Sequence, residues 1–179
     1  MRGTLEENVP RIDPRAWLAP GAIVVGNVTI GRGTSVWYGS VLRGDDDAIV
    51  VGEECNVQDM CCLHADRGQP CIIEDRVSIG HKAVVHGAHV AAGSLIGIGA
   101  IVLGGARIGA GSMIAAGALV GPRMAIPPGV LVAGAPGRVV RKLTDGDRAV
   151  LTGTADSYVE LARRHQAAKW DDLLSTSHP

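Results

Sequence analysis

From Ile12 onward an aliphatic residue returns every six positions: Ile12, Leu18, Val24, Ile30, Val36 and Leu42. After irregular steps the frame comes back as Val51, Val57 and Leu63, then as Ile73, Ile79 and Val85. It runs on through Val90, Ile96, Val102, Ile108, Ile114, Val120, Ile126 and Val132. The residue two before each of these is small almost throughout, as at Ala16, Ala22, Val28, Thr34 and Ser40, and later at Ser94, Ala100, Ala106, Ser112 and Ala118. Three residues after them, Gly93, Gly99, Gly105, Gly111 and Gly117 form an unbroken series. An even period lets a strand keep one face inward, while a glycine in every unit calls for a bend in every unit. The chain must therefore turn a corner about every six residues. Three short faces per turn make a triangular solenoid whose coils stack at the strand spacing of roughly 4.8 Å.

This pattern resembles the hexapeptide-repeat left-handed parallel β-helix over residues 11 to about 135. The handedness is implied by that resemblance; the period itself carries none. Beyond "GAPGRVVRKL" the period stops. Thr144 with Asp147 three residues later reads as a capping box, and Leu151, Tyr158, Leu161 and His165 fall near one side of a helix running to about Trp170. The expected fold is an all-β solenoid at 1–143, with a C-terminal α-helix and tail, 144–179, packed along it and ending in a frayed "STSHP".

Composition narrows the class further. The 179 residues suit one domain, and with no Phe and 25 Gly the interior is expected to be lined by small and β-branched side chains. A net charge of −1 without a basic run gives no reason to expect nucleic acid. "MRGTLEENVP" lacks an apolar leader and no stretch approaches a membrane span, so no membrane association and a cytoplasmic location are the expectation. Four cysteines are then read as reduced thiols.

The irregular steps are nine residues from Leu42 to Val51, ten from Leu63 to Ile73 and five from Val85 to Val90, marking a bulge, an extruded loop and a deletion. Counting each as one face, His64 and His86 follow aliphatic positions three faces apart. They stack at one corner about one coil apart, close enough to share a metal. Arg43 sits one coil earlier at that corner. His81 lies one face before His86, up to about 17 Å of extended chain away, and so belongs to a different edge. One coil from it sits Asp59, and beside Gly80 sits Gln58. A homotrimer would bring the His81 edge of one prism against the His64/His86 corner of the next, giving three sites of three imidazoles. Such a site leaves a fourth position for water, as in a catalytic rather than a structural zinc centre; Fe²⁺ or Co²⁺ also suits imidazole.

At this point the chain strongly resembles the γ-class carbonic anhydrase family, through "SVWYGSVLRGDDDAIVVGEECNVQDMCCLH", "GHKAVVHG" and "GAPGRVVRKLT". The resemblance implies zinc-dependent hydration of CO₂ to bicarbonate in a trimer, with His64 and His86 from one subunit and His81 from its neighbour. It implies that Arg43 and Asp45 pair across the subunit contact, that Gln58 and Asp59 shape the pocket around the reacting water, and that Tyr158 is offered to the site by the C-terminal helix. Arg43 is a candidate to attract bicarbonate as well as to bridge subunits. One departure stands out: where well-studied members carry an acidic loop after the first histidine, this chain has only "ADRGQPC", without Glu.

Blander readings apply elsewhere. Cys55, Cys61 and Cys71 occupy the small inward position and read as core filler, with Cys62 a bystander. Asp46 and Asp47 read as solvated, as do His165 and His178, and His89 reads as surface or interface. "IGIGAIVLGG" is explained by the repeat. Two other functions compete: a hexapeptide-fold acyltransferase or acyl-CoA thioesterase, which needs no metal, and a non-catalytic metal-stabilised trimeric scaffold.

Overall fold

The computed structural model describes residues 1–168, and these form a left-handed parallel β-helix followed by one α-helix. The recurring aliphatic residues resolve into three internal rails. Parallel pairing sets Val24, Leu42, Leu63, Val85, Val102 and Val120 in register on one face. A second face carries Ile30, Val51, Ile73, Val90, Ile108 and Ile126, and a third carries Val36, Val57, Ile79, Ile96, Ile114 and Val132. Nearly all are fully buried, so the core is a column of β-branched and Leu side chains without a single Phe.

The small residues fill the inside of the corners. Where they carry a hydroxyl, it reaches a carbonyl of the next coil: Thr34 donates to Gly52 O at 2.7 Å, Ser112 to Pro127 O at 2.8 Å. A hydroxyl buried in an apolar column would otherwise be costly, and each is satisfied without breaking the ladder. The cysteines follow the same rule. Cys55, Cys61 and Cys71 are buried and their thiols are pushed up to about 12 by burial, whereas Cys62 is exposed.

At most corners the backbone takes positive φ three residues after the rail position, as at Gly99 (φ +65°). Between Val51 and Val85, however, the same positions hold Glu54, Met60, Arg76 and Lys82, all with φ between +52° and +61°. The left-handed bend is a property of the coil; glycine only makes it cheap. Elsewhere glycine has a steric role where two coils touch closely: a Cβ on Gly97 would lie 2.5 Å from the backbone nitrogen of Ala116.

"GAPGRVVRKL" closes the solenoid as a hairpin, Val130–Ala133 pairing antiparallel with Arg138–Lys142. The helix α1 then spans Asp145–Gln166. Thr144 caps it in the expected reciprocal box with Asp147. It is four residues shorter than the expected end at Trp170, which with the "STSHP" tail and His178 lies outside the described residues. Leu151, Ala155 and Ala162 are buried against the solenoid. His165, expected to be solvated, instead packs on Trp37 with ring centroids 4.9 Å apart, and its Nδ1 lies 2.8 Å from the Tyr38 hydroxyl. The reason is the cluster of Trp17, Trp37 and Tyr38 on the early coils, which offers an amphipathic ring both an apolar wall and a polar partner. This anchors the end of α1 and brings Tyr158 to the edge that carries His81.

Candidate metal centre

Residues Arg43, His64 and His86 lie directly beside one another on three successive coils. The His64 and His86 ring centroids are 5.0 Å apart, with His64 Nδ1 only 3.0 Å from His86 Nε2. The other nitrogen of His64, Nε2, lies 2.9 Å from Asp45 Oδ1. With Nε2–H donating to that carboxylate, Nδ1 is the bare nitrogen turned toward His86. Burial raises the Asp45 carboxyl, but hydrogen bonds from Arg43 and His64 outweigh it and hold the group below the usual carboxylate range.

The irregular steps build this corner. The long strand Val41–Val51 turns from one face to the next with a register shift opposite Gly26 to Val28. Gly26 and Gly44 allow the close crossing, since a Cβ on Gly26 would sit 2.3 Å from Gly44 O. The bulge so formed presents Asp45 to His64. The extruded loop after His64 is tied down twice: Gln69 N donates to Asp66 O at 2.8 Å, and Gly68 N donates to Asp47 Oδ2 at 2.8 Å. Asp47, read as solvated from sequence, is therefore a loop anchor. Its other carboxylate oxygen accepts from Ala48 N at 2.7 Å.

His81 stands on another edge, in the column of Tyr38, Asp59, Ile98 and Ala116. Its Nδ1 lies 2.7 Å from Asp59 Oδ2, which leaves Nε2 as the acceptor nitrogen, facing the Tyr158 hydroxyl at 3.3 Å. Gln58 is buried and accepts from His81 N at 3.2 Å while donating to Asn56 Oδ1 at 2.9 Å; Asn56 in turn donates to Ser78 Oγ at 2.8 Å. Tyr158 packs edge-on to Trp37, and its hydroxyl is raised by burial and then by the Asp59 charge. Beside it a cavity of about 370 Å³ opens between α1 and the solenoid, walled by Leu95, Ile98, Met113 and Ile114.

No family model matches the chain. Curated relatives do. A Methanocaldococcus jannaschii protein named "Probable carbonic anhydrase" is 53% identical over 85% of this chain and 96% of its own length. A Geobacillus kaustophilus protein named "Carbonic anhydrase" is 42% identical, covering 88% of this chain and 87% of that one. "Gamma carbonic anhydrase 1, mitochondrial" of Arabidopsis thaliana is 43% identical over 90% of this chain, which spans 61% of that longer protein. The chain belongs to the γ-class carbonic anhydrase family. Among solved structures, a hexapeptide transferase family protein from Anaplasma phagocytophilum superposes with a TM-score of 0.88 at 35% identity, covering 91% of this chain and 96% of that one.

As in any member of this family, the question is whether the residues present suit a metal ion. Two ligands in a tetrahedral shell with bonds of about 2.0–2.1 Å stand roughly 3.3 Å apart, and the facing nitrogens of His64 and His86 are close to that spacing. Hydrogen-bonded carboxylates fix the tautomers of His64 and His81, which is how metal-binding imidazoles are usually held. The donor set fits. Among the described residues, the groups of side chains whose donor atoms converge within 4.8 Å are His64/Asp66/His86 and Asp45/Asp46/His64. His81 is in neither.

The corner expectation thus brings His64, His86, Arg43 and Asp45 together, and the His81 edge brings Asp59, Gln58 and Tyr158 together. Arg43 and Asp45 already pair with each other inside one chain. Sequence reasoning missed Asp66, which stands 3.6 Å from His86 Nε2. Its signal was present: it follows His64 by two residues and so starts on the same side of the strand. His89, half-buried, pairs with Glu74 at 2.7 Å and plays no part in either cluster. Among the described residues, no helix is long and apolar enough to cross a membrane.

Proposed function

We propose that the chain forms a homotrimer in which His64 and His86 of one subunit and the partner subunit's His81 bind a zinc-type ion, and that it hydrates CO₂ to bicarbonate there. The observation that carries this reading is the His64–His86 stack, two nitrogens 3.0 Å apart and bare of other donors between them. Fe²⁺ or Co²⁺ satisfies the same donors. Such an ion lowers the pKa of water from 15.7 to about 7 and so supplies a hydroxide nucleophile at neutral pH.

The chain's own residues have positioning roles. Asp59 holds the imidazole of His81 by Nδ1, and Gln58 holds its backbone nitrogen, so Nε2 is the nitrogen left to serve as a ligand. Asp45 does the same for His64. Arg43, half-exposed beside Asp45, provides positive charge at the corner for an anionic product and a link to the neighbouring subunit. Tyr158 closes the side of the His81 edge toward α1 and limits water there.

Metal analysis with stopped-flow CO₂ hydration, on protein prepared without oxygen, tests this. One ion per subunit with hydration that vanishes in His64→Ala and His81→Ala supports it; a well-folded trimer without metal sinks it. The apolar cavity beside His81, together with a 46%-identical Bacillus subtilis relative named "Uncharacterized transferase YtoA", favours acyl transfer as the second reading. CoA-dependent turnover that survives chelation would establish that one instead.

A further inference from the structure

The corner of a single chain holds more than two imidazoles. Asp66 Oδ1 lies 3.6 Å from His86 Nε2, and His86 Nε2 lies 3.0 Å from His64 Nδ1. Both separations bracket the roughly 3.3 Å expected between neighbouring donors of a tetrahedral ion, and the three donor atoms all fall within 4.8 Å of one another. The backbone beneath this half-exposed carboxylate is tied down. Its own carbonyl accepts from Gln69 N, and two residues on, Gly68 N is held by Asp47 across the bulge. Nor is the rest of the corner short of charge balance, since Arg43 is already matched by Asp45.

We infer that His64, His86 and Asp66 form a complete three-donor site for a divalent cation within one subunit. The inference rests on the metal reading above and adds to it an order of events: each chain captures its ion before assembly, with one position left open. The partner subunit's His81 then enters that position as a fourth protein donor, and the reacting water joins as a fifth, an expansion open to zinc sites. Two neutral imidazoles and one carboxylate suit Zn²⁺, Co²⁺ or Fe²⁺. Binding releases whatever protons the imidazoles and the carboxyl carry.

The test is Co²⁺ titration, followed by visible absorption and equilibrium dialysis, of wild type, H81A and the double variant H81A/D66N. The expected result is one Co²⁺ per chain in H81A. Adding D66N should weaken that binding by at least the roughly tenfold that loss of a mere outer hydrogen-bond partner costs, with the thermal unfolding of the metal-free protein unchanged. D66N in the otherwise wild-type chain should weaken Co²⁺ binding in the same direction, which covers the case of an H81A chain that does not fold. Equal affinity in H81A and H81A/D66N would overturn the inference while leaving the three-imidazole site standing. So would a folded H81A that takes up no Co²⁺ although wild type does. Failure of wild type itself to bind Co²⁺ would remove both readings together.

Discussion

The coils from Val90 to Val120 and those from Leu42 to Val90 are built on the same three rails and differ in nearly everything else. In the later coils each step is six residues, each corner is glycine, and no candidate site residue appears. In the earlier coils the step changes to nine, ten and five, the corners carry Glu54, Met60, Arg76 and Lys82 at positive φ, and every candidate residue except Tyr158 is found. The comparison teaches that regularity supplies stiffness and irregularity supplies chemistry. Plain stacking sets Asp59 against His81, but only the lengthened segments bring Asp45 and Asp66 to the His64/His86 corner.

The largest expected effect comes from breaking the regular half. Ile96 is fully buried on the third rail, so Ile96→Ala leaves a cavity that a stiff column closes poorly and should cost about 4 kcal/mol, read by denaturant unfolding. In the irregular half His64→Ala should do the reverse. Metal affinity should fall at least about a hundredfold, by dialysis against a chelator, because a direct ligand is lost. The metal-free fold should unfold at nearly the same denaturant concentration, since His64 adds no rail contact.

A smaller effect sharpens the contrast at the corners. Met60 is exposed at φ +61°, so Met60→Gly should stabilise by about 1 kcal/mol, whereas Gly99→Ala, at φ +65° in the regular half, should destabilise by a similar amount. Opposite signs at equivalent positions would show that the early coils tolerate backbone strain that the later ones avoid. Destabilisation by both would show that the contacts of Met60 outweigh the strain at its corner.

These same corners explain what was legible in the sequence. The rails and the small inward residues were readable because burial acts on a fixed period, and stacking of His64 on His86 followed once whole faces were counted. The anchoring role of Asp47 was not readable, and Asp66 was marked only by its place two residues after His64, because the extruded loop obeys no period and its shape is set by hydrogen bonds between chain segments 21 residues apart. His165 escaped for a related reason: helical spacing marks a face, but the ring's partners Trp17, Trp37 and Tyr38 come from the first coils, more than a hundred residues away.

The helix joins the two halves, and its capping box gives the subtlest test of the comparison. Its N-terminus is hooked to the regular end, where Leu143 N donates to Gly129 O, while Tyr158 and His165 lie on the irregular end. Asp147 is held well below the usual carboxylate range first by Arg141, then by Thr144. A carboxyl depressed on folding contributes stability that is present above its unfolded value, near 3.8, and is lost as the pH falls through the lower folded value. Asp147→Asn should therefore fray the first turn at neutral pH and lose less on acidification than wild type, read as helix content by circular dichroism between pH 5 and about 2. If the fraying also loosens Tyr158 from His81, detected as a sharper pH dependence of tyrosine fluorescence, the helix transmits between the regular scaffold and the site. If Tyr158 is unmoved, the aromatic cluster alone holds the far end, and the two halves are independent.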